Sequence, residues 1–166
     1  MEKFTKKIKK ICEEHNNVGI FIDMDGTVVE FLVYPDNYLN HSDKGVFIEA
    51  EEVTPVVESL KELEDIDNLE MHILSLARTT QIKNEKKIWL KNHMSFIKEE
   101  NCFILNKEVG EYTSENRDEI KCVYMEKALN KFDYVILLDD DLKILKATQK
   151  RIGKKGEVFH ISSIII

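Results

Sequence analysis

The apolar run Val18–Ile22 leads directly into Asp23-Met24-Asp25-Gly26-Thr27. Two carboxylates two positions apart, leaving a strand into a glycine turn, can face one point in space. One can attack a phosphorus atom, and the other can handle the proton of the leaving group. Gly26 lets the backbone turn sharply and offer N–H groups to phosphate oxygens. Thr27, beside it, joins the expected phosphate-binding set. The competing reading is a solvated turn, since Asp and Gly are favoured at strand ends anyway.

Three further pieces complete the expected chemistry. Ser75 follows the apolar run that ends at Leu74, where a hydroxyl can donate to a phosphoryl oxygen or simply cap a turn. Asp139-Asp140-Asp141 follows Tyr134–Leu138. There, carboxylates can bind a metal or favour the positive end of the helix that starts at Leu142. Both roles fit together if Asp139, with Asp140 as a further candidate, binds a metal while Asp140 or Asp141 caps. Magnesium takes hard oxygen ligands and keeps waters, so two or three carboxylates and a phosphate suffice for Mg2+. These carboxylates and a phosphate dianion repel one another, so a cation is needed beside them. Lys121 is the first choice and Lys107 the second, with an ordinary surface lysine as the plain alternative for Lys121.

The elements that must position these residues alternate along the chain. Strands are expected at Val18–Ile22, Glu70–Leu74, Cys102–Leu105, Tyr134–Leu138 and Glu157–His160, and helices near Pro55–Leu63, Asn84–Met94, Glu119–Leu129 and Leu142–Ile152. Thr54 reads as an N-cap before Pro55, and Gly153 as a helix stop. Nearly all-apolar strands alternating with helices predict an α/β fold with a parallel sheet covered on both faces. Ligands in such sheets bind beyond the carboxyl ends of the strands. Residues 28–53 break the alternation yet contain Phe31, Tyr34 and Phe47, so a small cap or lid inserted after the first strand is expected. Those aromatics could stack on a planar base or form the cap's own core. Phe4, Ile8 and Ile11 recur at helical spacing among lysines, which predicts a basic amphipathic helix over residues 1–16, packed on the domain or lying on an anionic surface.

Composition narrows the classes. The chain has 166 residues, 43% hydrophobic and 33% charged, consistent with a single globular domain over residues 1–166. A net charge of −7 counts against a nucleic-acid polymer as partner, but not against a small phosphorylated substrate. Its three cysteines, Cys12, Cys102 and Cys122, form no C-x-x-C pair and are expected to be reduced thiols in a cytoplasmic protein. The five histidines lack zinc-ligand spacing. No run is apolar enough to span a membrane, and no secretory signal or obligate protein partner is inferred.

The order of DMDGT, the serine of HILS, Lys121 and LLDDD resembles the four motifs of the haloacid dehalogenase (HAD) superfamily, and the likeness extends over nearly all the chain after the first helix. Within it, Gly45-Val46-Phe47 with Val53-Thr54-Pro55, the Lys87-Ile88-Trp89-Leu90 helix and Leu138-Asp139-Asp140 are similar to the 5′(3′)-deoxyribonucleotidase branch and its bacterial relatives. The resemblance implies a Rossmannoid three-layer sandwich whose first strand lies between the second and fourth, so that Asp23, Ser75 and Asp139 share one crevice. It implies that Asp23 becomes an aspartyl-phosphate, that Asp25 is the acid and base, and that the Asp25 backbone carbonyl also binds the metal. Asp25 favours a phosphatase over the superfamily's ATPases and dehalogenases. The serine segment departs from many relatives in reading Ser75-Leu76-Ala77-Arg78. The expectation is a Mg2+-dependent phosphomonoesterase acting on nucleoside 5′- or 3′-monophosphates. Alternatives are a sugar phosphate or other small metabolite as substrate, a nucleic-acid end phosphatase, or a catalytically silent module.

Overall fold

In a computed structural model, residues 3–30, 45 and 47–165 are described. Five strands form one parallel sheet: β1 (Val18–Ile22), β2 (Leu69–Ala77), β3 (Cys102–Asn106), β4 (Tyr134–Asp139) and β5 (Gly156–His160). Their order is β3-β2-β1-β4-β5, so β1 lies between β2 and β4. All five residues of β1 are buried, which is why it reads as an unbroken apolar run rather than an alternating one.

Helices cover both faces. On one side α1 (Phe4–Glu14), α2 (Thr54–Lys61) and α3 (Thr80–His93) pack against Val18, Ile20, Ile22, Ile73, Ile136 and Leu138. On the other, α4 (Arg117–Ala128) and α5 (Leu142–Ile152) pack against Phe21, Leu74, Val135 and Leu137. The split of β1, β2 and β4 between two cores makes a three-layer sandwich, the architecture read from the sequence. Gly19 permits the second core to close, because a Cβ there would lie 2.6 Å from the Phe132 ring.

Basic helix α1 buries Phe4, Ile8, Ile11 and Cys12, and Phe4 meets Phe159 edge to face at 5.2 Å. Its Lys6, Lys9 and Lys10 are exposed, as is Lys3 just before it. Its apolar face is therefore spent on the sheet. Among the described residues, no helix is long and apolar enough to cross a membrane.

Several boundaries differ from expectation. Strand β2 continues past Leu74, so Ser75 lies inside the strand, paired in register with Ile104. Helix α3 begins four residues early because Thr79 caps it, its Oγ1 accepting from Ile82 N at 3.2 Å. Thr54 is the first residue of α2, and Val53 holds the cap position. Gly153 does end α5, with φ +60°.

The segment expected as a cap lies largely outside the described residues, Phe31 and Tyr34 included. Its two ends meet. Glu30 N donates to Glu51 O at 2.9 Å, and Val53 N donates to Val28 O at 2.7 Å. The chain thus leaves and returns beside the carboxyl end of β1 through one short antiparallel pair, with Val29 opposite Glu52.

Candidate active site

Parallel pairing brings the chemistry together. Ile22 is level with Leu138 of β4, and Asp23 N donates to Leu138 O at 2.9 Å, which puts Asp23 beside Asp139 at the carboxyl edge. Helix α4 carries Lys121 over the same edge. Lys121 Nζ donates to Asp23 Oδ1 at 2.5 Å and to Asp139 Oδ2 at 2.7 Å. All three residues are at least nine-tenths buried. Lys107 is elsewhere, donating to Ser114 Oγ at 2.6 Å on the exposed surface. Of the two candidate lysines, Lys121 lies against Asp23 and Asp139 and Lys107 does not.

The electrostatics follow from burial. Burial pushes the Asp23 carboxyl up to about 7; Asp139 and Asp25 add to the rise, and Lys121 opposes it. Burial also disfavours the charged Lys121 ammonium, yet Asp23 and Asp139 outweigh that and hold it above the usual lysine range. Asp140 rises to about 6, first through burial and then through Asp139. Carboxylates that resist ionisation together mark a site with too little positive charge.

The three aspartates after β4 divide their work. Asp141 caps α5, its Oδ1 accepting from Lys143 N at 2.8 Å and Ile144 N at 3.3 Å. Asp139 Oδ1 accepts from Asp141 N at 2.9 Å. Asp140 is left facing the Gly26 turn, where a Cβ on Gly26 would lie 2.2 Å from Asp140 Oδ2. Gly26 has φ +78° as well, so both space and backbone require glycine. Oxygens of Asp23, Asp139 and Asp140 lie within 4.8 Å of one another. A hard divalent cation fits this set, since it would supply the missing charge to an all-oxygen cluster.

Two members of the expected phosphate set are hydrogen-bonded within the turn itself. Gly26 N donates to Val29 O at 2.9 Å and Thr27 N to Met24 O at 3.0 Å, so both N–H groups are spent within the turn. The Thr27 hydroxyl donates to Asp23 Oδ2 at 3.1 Å and holds the carboxylate. Ser75 is fully buried behind Asp25 and accepts from a second lysine, Lys86.

Lys86 and Glu85, on α3, were absent from the sequence reading. Lys86 Nζ donates to Asp25 Oδ2 at 2.5 Å, Ser75 Oγ at 3.0 Å and Leu76 O at 2.8 Å, and lies 5.0 Å from the centre of the Phe47 ring. Glu85 accepts from the Gly45 N–H, tying the returning segment to α3. A signal existed. The buried face of α3 is Ile82, Glu85, Lys86, Trp89 and Leu90, a helical stripe interrupted by two charges. Starting the helix at Asn84 excluded Ile82 and hid that stripe. Phe47, expected either to stack on a base or to join the cap's own core, is half-buried and packs against the core.

No family model matches the chain, and no curated protein matches it in sequence. Solved structures do. A haloacid dehalogenase-like hydrolase from Burkholderia xenovorans LB400 superposes with a TM-score of 0.51 at 14% identity, over 86% of this chain and 81% of that one. The HAD domain of effector protein Lem4 from Legionella pneumophila superposes with a TM-score of 0.53 at 16% identity, over 87% of this chain and 86% of that one. The fold is thus HAD-like. At these identities the likeness concerns the fold, and the chemistry must be argued from the side chains.

Proposed function

We propose that the protein is a magnesium-dependent phosphomonoesterase working through an aspartyl-phosphate on Asp23. The observation that carries this reading is the buried Lys121 bridge between Asp23 and Asp139, with Asp25 two residues beyond Asp23 at the water edge. Thr27 and Lys121 each hold one oxygen of Asp23, so the carboxylate is oriented before substrate arrives.

Asp23 attacks phosphorus, and the bond from phosphorus to the leaving alkoxide breaks. Asp25, whose side chain is 32% exposed, gives that alkoxide its proton. Asp25 then takes a proton from water as the water attacks phosphorus, releasing phosphate and restoring Asp23. Lys121 offsets charge on the nucleophile throughout. Asp23, Asp139 and Asp140 would hold Mg2+, with the Asp25 carbonyl as a further ligand by family resemblance. When bound, the ion would neutralise charge on the phosphoryl oxygens.

For substrate, we favour a nucleoside 5′- or 3′-monophosphate. Support comes from the sequence resemblance and from aromatic residues in the segment that rejoins the fold beside the site. The test is phosphate release from a panel of nucleoside monophosphates, sugar phosphates and amino-acid phosphates, with and without EDTA. Metal-dependent release with nucleotides ahead in kcat/KM is expected. Full activity in EDTA would overturn the metal. Sugar or amino-acid phosphates turned over at least as efficiently as every nucleotide would overturn the substrate class and leave the phosphatase chemistry standing.

A further inference from the structure

Lys86 is enclosed by α3, β2 and Phe47, with a side chain only 1% exposed. An ammonium has three N–H donors and no acceptor. All three are committed, to Asp25 Oδ2, Ser75 Oγ and Leu76 O. None is left for a phosphoryl oxygen, so any effect on the reaction must pass through a neighbour. Two of the acceptors cannot move. Ser75 is fully buried within β2, and Leu76 O belongs to the backbone of the same strand. The third, Asp25, is the half-exposed carboxylate on the turn after β1. Lys86 is thus anchored at one end on the sheet and holds a group at the edge of water at the other.

We propose that Lys86 is a positioning residue for Asp25: a strut, footed on Ser75 and Leu76, that fixes one carboxylate oxygen and leaves Oδ1 to exchange the proton. This rests on the reading of Asp25 as acid and base. It also gives Ser75 a task suited to its full burial, that of holding the lysine. Glu85, next on the helix, binds Gly45 of the returning segment. One turn of α3 therefore sets both the acid/base group and the chain that closes beside it. A misplaced acid costs most where the leaving group most needs a proton.

The test is Lys86→Met, which keeps the stem and removes the donors, assayed on phenyl phosphate and on p-nitrophenyl phosphate. The expected loss in kcat/KM is roughly 100-fold on phenyl phosphate and about tenfold or less on p-nitrophenyl phosphate, the scale of general acid–base catalysis. In an Asp25→Ala background the same substitution should add less than about threefold, because residues acting as a unit are non-additive. Equal losses on both substrates, or a full additional loss without Asp25, would overturn the proposal. If the methionine variant does not fold, Lys86→Gln takes its place in the same assays. A crystal structure of the variant decides without activity: Asp25 should lose its single rotamer, and an unmoved Asp25 would refute the strut. Wild-type protein that releases no phosphate from any monoester would instead refute the proposed function, and this structural comparison would still judge the strut.

Discussion

Two buried lysines serve opposite sides of one carboxylate cluster. Lys121 pairs with Asp23 and Asp139, whose side chains are 7% and 1% exposed. Lys86 pairs with Asp25, which reaches water. Both bonds to their aspartates are 2.5 Å, yet their surroundings differ. Without Lys121, two carboxylates would lie uncompensated in a dry interior. Without Lys86, one carboxylate would turn toward solvent. The first lysine therefore balances charge on which the fold itself depends, and the second fixes geometry.

Lys121→Met should break this comparison most strongly. Removing one partner of a buried ion pair costs about 3–5 kcal/mol, whereas a pair reaching solvent contributes about 1 kcal/mol or less. Urea denaturation at pH 8 without metal should show the larger loss for Lys121→Met and a smaller one for Lys86→Met, in which Asp25 can turn to water and the lost bonds are those to Ser75 Oγ and Leu76 O. Similar losses would mean that burial does not separate the two lysines.

Much of the site was legible because its residues abut apolar strands. Asp23 and Asp139 follow or end β1 and β4, and parallel register makes them neighbours. Lys121 could be named because the cluster needed a cation. Lys86 could not, since its place depends on Ile82 starting a helical stripe and on Thr79 capping the helix earlier than composition indicated. Ser75 was legible as a residue, but its position within β2 was not, because its hydroxyl reads as a strand end although Leu76 and Ala77 carry the apolar strand onward. The spent N–H groups depend on the shape of the turn, Gly26 N reaching forward to Val29 O and Thr27 N back to Met24 O, which no spacing rule predicts. The three-layer architecture was clear from strand–helix alternation alone.

Metal binding sharpens the comparison next. Saturating Mg2+ at 100 times its dissociation constant should stabilise the protein by about 2.7 kcal/mol. The gain should disappear in Asp139→Asn and persist in Lys86→Met. The sign with pH follows from carboxyls raised to about 7 for Asp23 and about 6 for Asp140. Their protonated forms are favoured in the fold, so this contribution is full below the ordinary value of 3.8 and is lost as pH rises through 6 and 7. Magnesium needs the ionised forms, so thermal shifts with metal should be larger at pH 8 than at pH 5.5. A shift independent of pH would dissociate these carboxylates from the metal.

The smallest effect lies away from both lysines. His72 is buried between Phe21 and Phe103, with ring centres at 4.6 and 5.7 Å. Burial holds its imidazole below the usual value of 6.5; Lys131 acts the same way and Glu70 opposes. A depressed imidazole favours the neutral form, so this stability is present above pH 6.5 and is lost as pH falls. His72→Phe should flatten the decline in melting temperature between pH 7.5 and 5.5. An unchanged slope would assign that decline to other groups.

The central claim is that Asp23 carries the phosphoryl group. Acid quenching during steady turnover of a phosphate-labelled substrate, followed by peptide mapping, tests it most directly. A hydroxylamine-labile label on the peptide bearing Asp23, absent in Asp23→Asn along with all but a trace of the activity, is the predicted result. Phosphate release with no label on that peptide, or an Asp23→Asn variant that keeps a tenth of the activity, would contradict it.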